Sequence, residues 1–216
     1  MPLEVFQEKY KNLDVSFRDK VRYEQVGNVI YLMSQPARLH EIIITEIIGQ
    51  FRDYFKKKSC LVYGSNLGLD LSDYISELTE LESFREYLFN RENQNKATFL
   101  PDLQVICDNR EELFGPDGYK KPSSLIIEVW SPSTGERDLG FKKDMYERVG
   151  ISEYWVVLDI RNVLVYTLVN GKYSLRRYSL DRDLFLEDDV NKDILAVPSL
   201  IFSDLVIRLD KKDFYK

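Results

Sequence analysis

The 216-residue chain is poor in the side chains that most enzymes use to bind soft metals or move protons. It has one histidine, His40, and two cysteines, Cys60 and Cys107. One histidine excludes a zinc centre built from several histidines, and any Ser-His-Asp triad not built on His40. The cysteines lie far apart and show no metal-ligand spacing, so two buried, reduced thiols are expected. No apolar run reaches the roughly 18 residues that a spanning helix requires. The segment MPLEVFQEKYKNLD has no secretory apolar core, so a cytoplasmic location and no membrane partner are expected. Basic charge is also short: the formal net charge is −6. This argues against a broadly basic nucleic-acid surface, though a local basic face can coexist with it. There is no internal repeat, linker or low-complexity tract.

What is present is an ordinary globular composition, 44% hydrophobic and 31% charged, long enough for one domain with a sizeable core. A helix fits residues 3–19. Gly27-Asn28 and Asn170-Gly171 read as hairpin turns. Leu39, Ile43, Ile47, Phe51 and Phe55 fall at helical spacing, which predicts a helix over 37–58 ending in Lys56, Lys57 and Lys58, a solvated C-terminal turn. One or two strands broken at Gly64 fit 59–71, and a helical insertion fits 74–96. Further strands are predicted at 99–106, 123–131, 153–159, 162–169 and 172–180, a charged loop at 107–122, a helix at 136–149 closed by Gly150, and a last strand or hairpin over 193–209. The strand–helix–strand unit from 123 to 159 predicts two parallel strands in a mixed sheet. The fold class is therefore α/β, a mixed sheet flanked by helices.

The chemistry gathers in LIIEVWSPSTGERDLGFKKDMY. In the strand at 123–131, Leu125, Ile127 and Val129 alternate with Ile126, Glu128 and Trp130, so both faces are apolar except at Glu128. A carboxylate there needs a cation or a basic side chain. Asp102, after Pro101, opens another apolar strand. Alone it reads as a strand-start cap; beside Glu128 it makes a normal oxygen-donor pair for Mg²⁺. Asp138, Lys142 and Tyr146 recur every four residues and share one helix face. Lys142 can then reach the carboxylates as part of a hydrolytic site, or pair with Glu128 as a buried salt bridge. It can also make a surface pair with Asp138. Lys143, one residue round the helix, faces solvent or a phosphate. Tyr154 and Trp155 read as core aromatics. Glu41 and Glu46, on the helix of His40, match no firm role.

Pro101-Asp102, then Glu128, then a lysine resembles the PD-(D/E)xK superfamily of restriction-endonuclease-like proteins, except that the usual lysine position holds Trp130. The segments RYEQVGNVIYLMSQPARLHEIII, LPDLQVI, IIEVWSPST, DLGFKKDMY and GISEYWVVLD, in that order, resemble the Uma-type family of candidate bacterial restriction endonucleases, over residues 20–209. In that family the lysine comes from the following helix, matched here by Asp138, Lys142 and Tyr146. The resemblance implies a single restriction-endonuclease-like domain over 1–216 and catalytic residues Asp102, Glu128 and Lys142. It also implies Mg²⁺, with Mn²⁺ as a substitute, on Asp102, Glu128 and the main-chain carbonyl of Val129. His40, Asp138 and Tyr146 are accessory candidates. The expected function is a metal-dependent nuclease acting on DNA as a homodimer. The alternatives are a catalytically silent nucleic-acid or protein-binding module, and a hydrolase of smaller phosphate esters.

Overall fold

The computed structural model describes residues 1–10, 22–27, 29–78, 96–180 and 193–214. Most of the insertion expected over 74–96, the second half of the helix expected over 3–19, and Asn28 lie outside the described residues. The chain divides into two compact units.

The first unit comprises residues 1–35, 65–100 and 110–122. Helix α1 (Leu3–Tyr10) precedes the hairpin of β1 (Tyr23–Val26) and β2 (Val29–Leu32), which turns at Gly27 with φ 53°. Positive φ carries little penalty for glycine, as the hairpin reading required. With β4 (Leu69–Asp70), β5 (Ala97–Phe99), β7 (Phe114–Gly115) and β8 (Gly118–Tyr119), these strands form a sheet in the order β2-β1-β5-β4-β8-β7. The expected loop at 107–122 thus contains a short hairpin. The strand expected over 99–106 is divided: its first part belongs to this sheet, and its second part to the other unit.

The second unit comprises residues 36–64, 101–109 and 123–216. Its sheet joins β3 (Leu61–Gly64), β6 (Leu103–Ile106), β9 (Leu125–Val129), β10 (Glu153–Asp159), β11 (Asn162–Val169) and β12 (Lys172–Ser179), in the order β12-β11-β10-β9-β6-β3. β9 and β10 are parallel, and the other pairs are antiparallel. Helix α2 (Arg38–Phe55) presents Ile43, Ile47, Phe51 and Phe55 to a core with Leu103, Val105, Leu125, Ile127, Val129, Trp155 and Val157. The hairpin of β13 (Ile194–Pro198) and β14 (Val206–Asp210) adds Leu195, Val197, Ile207 and Leu209 to the same core. The crossover from β9 to β10 is helix α3 (residues 135–149). It contains a π turn over Asp138–Lys142 and ends at Gly150 in the left-handed region, φ 88°.

Trp155 is 1% exposed and Tyr154 fully buried, so both are core residues, as their pattern suggests. The cysteines differ from expectation, because Cys60 and Cys107 form a disulfide. Leu61 pairs with Ile106 across β3 and β6. The next pair outward is Cys60 and Cys107, with Cα atoms 4.0 Å apart. Sequence alone cannot show that these two strands are neighbours.

Candidate active site

The apolar alternation of β9 places Ile126 and Glu128 on the face opposite the α2 core. The adjacent strand β6 runs antiparallel, with Leu103 opposite Ile127. Asp102 therefore sits at the end of β6, level with Glu128. The two residues hold each other through the backbone. The Asp102 N–H points to Glu128 Oε2 at 3.4 Å, and the Val129 N–H donates to Asp102 Oδ2 at 2.8 Å. Asp102 is thus a cap, as its position before a strand suggests, but it caps the neighbouring strand.

Helix α3 crosses above this pair. Lys142 Nζ lies 2.9 Å from Glu128 Oε1 and 3.5 Å from Asp138 Oδ1. Tyr146 directs its hydroxyl at Glu128 Oε1 over 3.5 Å, and Tyr154 donates to the main-chain carbonyl of Asp138 at 3.0 Å. Lys142 and Asp138 are each 1% exposed, so the i,i+4 pair is buried and not a surface one. The π turn carries both residues, and π turns of this kind are frequent where a helix must aim side chains at a site. From α2, His40 Nε2 approaches Asp102 Oδ2 at 3.2 Å.

The electrostatics are those of crowded carboxylates. Burial pushes the Glu128 carboxyl up to about 8, although Lys142 pulls it down; Asp138 and Asp102 add to the rise. Burial opposes charge on Lys142 most strongly, but Glu128, Tyr146 and Asp138 together outweigh it and raise the ammonium above its ordinary value. Lys142 is therefore a fixed cation and hydrogen-bond donor, unsuited to act as a base near neutral pH. His40 is raised too: burial works against its charge, but the Asp102 hydrogen bond and charge prevail, with help from Glu41 and Asp138. Burial lifts the Tyr146 hydroxyl well above its ordinary range, which keeps it a neutral donor.

The structure thus brings together Asp102, Glu128, Lys142, Asp138, Tyr146 and His40. It leaves others out. Lys143 pairs with Asp144 at 2.6 Å. Glu46 accepts a hydrogen bond from Gln50 at 2.9 Å. Arg137 was not anticipated. It is half-buried, and its charge acts on Asp138, Tyr146 and Lys142. The available signal was its place immediately before Asp138 on the same helix.

The donor set suits a hard divalent cation. Asp102 and Glu128 offer carboxylate oxygens on one side of the site. Glu128 is held above its ordinary range by burial and by neighbouring acids, a penalty that a shared cation would remove. Asp138 Oδ1 is buried and accepts no hydrogen bond. Among the described residues no cluster of three His, Cys, Asp or Glu side chains forms a ready cage.

Residues 7–197 match the Uma2 family, described as "Putative restriction endonuclease". No curated protein matches the chain in sequence. Among solved structures, a protein from Anabaena variabilis ATCC 29413, described as a "putative nuclease belonging to DUF820", aligns over 100% of this chain and 97% of its own. The TM-score is 0.59 and the identity 15%. At that identity the likeness speaks for a shared fold.

Proposed function

This chain belongs to the Uma2 family of restriction-endonuclease-like proteins, and from that premise we propose that it is a metal-dependent endonuclease hydrolysing DNA phosphodiester bonds. The observation that carries the reading is the buried meeting of Asp102, Glu128 and Lys142, drawn from two adjacent strands and a crossover helix. A bare apolar strand end has no need of three ionisable groups. The residues proposed to bind Mg²⁺, or Mn²⁺ in its place, are Asp102, Glu128 and the Val129 carbonyl. Such an ion would neutralise phosphate charge and lower the pKa of a bound water.

The protein's own groups have separable roles in this reading. Asp102 is held by the Val129 N–H and by His40, so its carboxylate enters the site already oriented. Glu128 is fixed by Lys142 and Tyr146 on one oxygen, and its other oxygen faces Asp102. Lys142, kept protonated, places a compact positive charge where a non-bridging phosphate oxygen gains negative charge in the transition state. Asp138 holds the ammonium from behind at 3.5 Å. The nucleophile is a water positioned in line with the leaving oxygen. Cutting both strands of a duplex would suit a homodimer, whose two-fold axis matches that of the duplex. Among the described residues no helix is long and apolar enough to cross a membrane.

A second reading has its own observation. A Glu128–Lys142 pair at 2.9 Å with both side chains almost wholly buried is also what a silent scaffold would retain as a structural ion pair. Plasmid nicking with Mg²⁺ or Mn²⁺, with and without chelator, beside a nucleotide-hydrolysis assay, separates the readings. Chelator-sensitive nicking that disappears in Glu128→Ala supports the endonuclease. Hydrolysis of nucleotides alone points to a small phosphate ester. No hydrolysis by protein that binds DNA points to the silent module.

A further inference from the structure

Trp130 occupies the position two residues beyond Glu128. Its N–H continues the β9 ladder by donating to the Val157 carbonyl at 2.9 Å. Side chains alternate along a strand, so the indole emerges on the Glu128 face, about 6–7 Å further along the strand. Trp130 is 39% exposed. It is nonetheless held in place: a methyl group on Gly135 would collide with its Nε1, Cδ1 and Cε2 atoms. The five-membered ring thus lies against the first residue of α3, the helix that also carries Asp138, Lys142 and Tyr146. A glycine at 135 gives the ring its seat at the start of that helix.

A part-exposed, seated aromatic ring two residues along the strand from Glu128 offers a nucleobase next to the proposed phosphate a surface to stack on. In a duplex the face of a base is covered by the neighbouring base pairs. It is open in a single strand or at an unpaired junction. We infer that Trp130 is a stacking platform for an unpaired nucleobase next to the scissile phosphate, so that the preferred substrate is single-stranded or locally unpaired nucleic acid. This rests on the nuclease reading for the position of the phosphate, but the stacking can be tested apart from it.

The chain has two tryptophans, and Trp155 is 1% exposed in the core. A change in solvent-exposed indole emission therefore reports on Trp130. The titration uses the full chain in chelator, so that nothing is cut. The probes are a blunt DNA duplex, each of its separated strands, and the RNA versions of those strands. The separated strands should quench the exposed emission and the duplex should not. The DNA and RNA arms then identify which unpaired strand is preferred. Trp130→Ala should lose the quench and bind single strands about tenfold more weakly, the order of loss when one base–aromatic stack is removed. Trp130→Phe, which keeps a π face, should retain most of the binding. If Trp130→Ala does not fold, Trp130→Leu takes its place. Quenching by the duplex equal to that by single strands, or wild-type single-strand affinity in the alanine or leucine variant, overturns the inference. Cleavage is scored separately. Metal-dependent cutting with a silent Trp130 ends the stacking inference and leaves the nuclease. A Trp130-dependent quench with no cutting under either metal supports the stacking site and ends the nuclease reading.

Discussion

Lys142 Nζ and Glu128 Oε1 stand 2.9 Å apart, with side chains only 1% and 4% exposed. Removing either partner leaves the other buried without its counter-charge. Lys142→Ala is expected to lower the metal-free stability by about 3–5 kcal/mol above pH 8, the cost of stranding a buried charge, and by less at lower pH, where the Glu128 carboxyl takes up a proton instead. Denaturant unfolding of the variant measures this. Glu128→Gln introduced beside Lys142→Ala should recover much of the loss, because the stranded carboxylate is then gone. A Lys142→Ala variant as stable as the parent would mean that the pair is open to water in solution.

Asp102→Asn should behave differently. The substituted amide keeps an oxygen that can still accept the Val129 N–H, now made at 2.8 Å, and it removes a charge that raises Glu128. The metal-free stability should stay within about 1 kcal/mol of the parent, the scale of a single neutral hydrogen bond. Thermal melts in chelator check it, and a loss comparable to that of Lys142→Ala would assign Asp102 a structural role.

The pH dependence follows from Glu128. Its ordinary value is 4.5 and the folded value is about 8. Between these the folded state binds a proton that the unfolded chain has released, so this group's contribution falls as pH rises from about 4.5 toward 8. The slope is at most about 1.4 kcal/mol per pH unit for one proton. His40, also raised, acts in the same direction: its contribution is present below its ordinary 6.5 and is lost as pH rises through the higher folded value. Melts in chelator should therefore show stability declining across pH 6–8, and Glu128→Gln should flatten that decline. Added Mg²⁺ should stabilise more at pH 8 than at pH 6, since the ionised carboxylate is the form that binds it.

Much of this site is legible in the sequence because apolar patterning and local spacing encode it. Glu128 stands out as the single charge in an otherwise apolar strand, and Asp138, Lys142 and Tyr146 share a helix face through spacing alone. The parallel β9–β10 pair follows from strand–helix–strand order. What is hidden depends on contacts distant in the chain. Whether Asp102 faces Glu128 turns on β6 and β9 being neighbours, and no residue in either strand announces that. The Cys60–Cys107 bridge is hidden for the same reason. The split of 99–106 between two sheets is hidden because its apolar residues read continuously across Pro101. The seat of Trp130 on Gly135 is a packing detail that no periodicity carries.

The disulfide is open to direct test. It closes a loop with a sequence separation of 47 residues, and removing such a constraint typically costs about 2–4 kcal/mol. The unfolded, non-reduced chain should show no titratable thiol. Reductant, or Cys60→Ser with Cys107→Ser, should lower stability by that amount. Two free thiols in the untreated protein would restore the reduced pair expected from the sequence.

The last prediction concerns turnover. Asp102, Glu128 and Lys142 are proposed to act on one phosphorus, with Asp102 and Glu128 sharing a cation and Lys142 supplying charge to the same developing oxyanion. If so, each matters to the chemical step more than to substrate affinity. Each alanine substitution should lower turnover by at least about 10²-fold, the scale of losing one preorganised charge-stabilising group. The Asp102→Ala and Glu128→Ala losses should combine far below their product, because the two residues serve one ion. Lys142→Arg should not restore the rate. The ammonium fits between Glu128 Oε1 at 2.9 Å and Asp138 Oδ1 at 3.5 Å, a space for a compact point charge, and a planar fork cannot occupy it without moving α3. Single-turnover cleavage in Mg²⁺ with saturating enzyme isolates the chemical step from binding, and circular dichroism confirms that each variant is folded. Three folded alanine variants cutting at the parental rate would move the active site elsewhere in the chain. A loss confined to Lys142→Ala, with both carboxylate variants fully active, would remove the metal from the mechanism and leave the lysine as its sole electrostatic element.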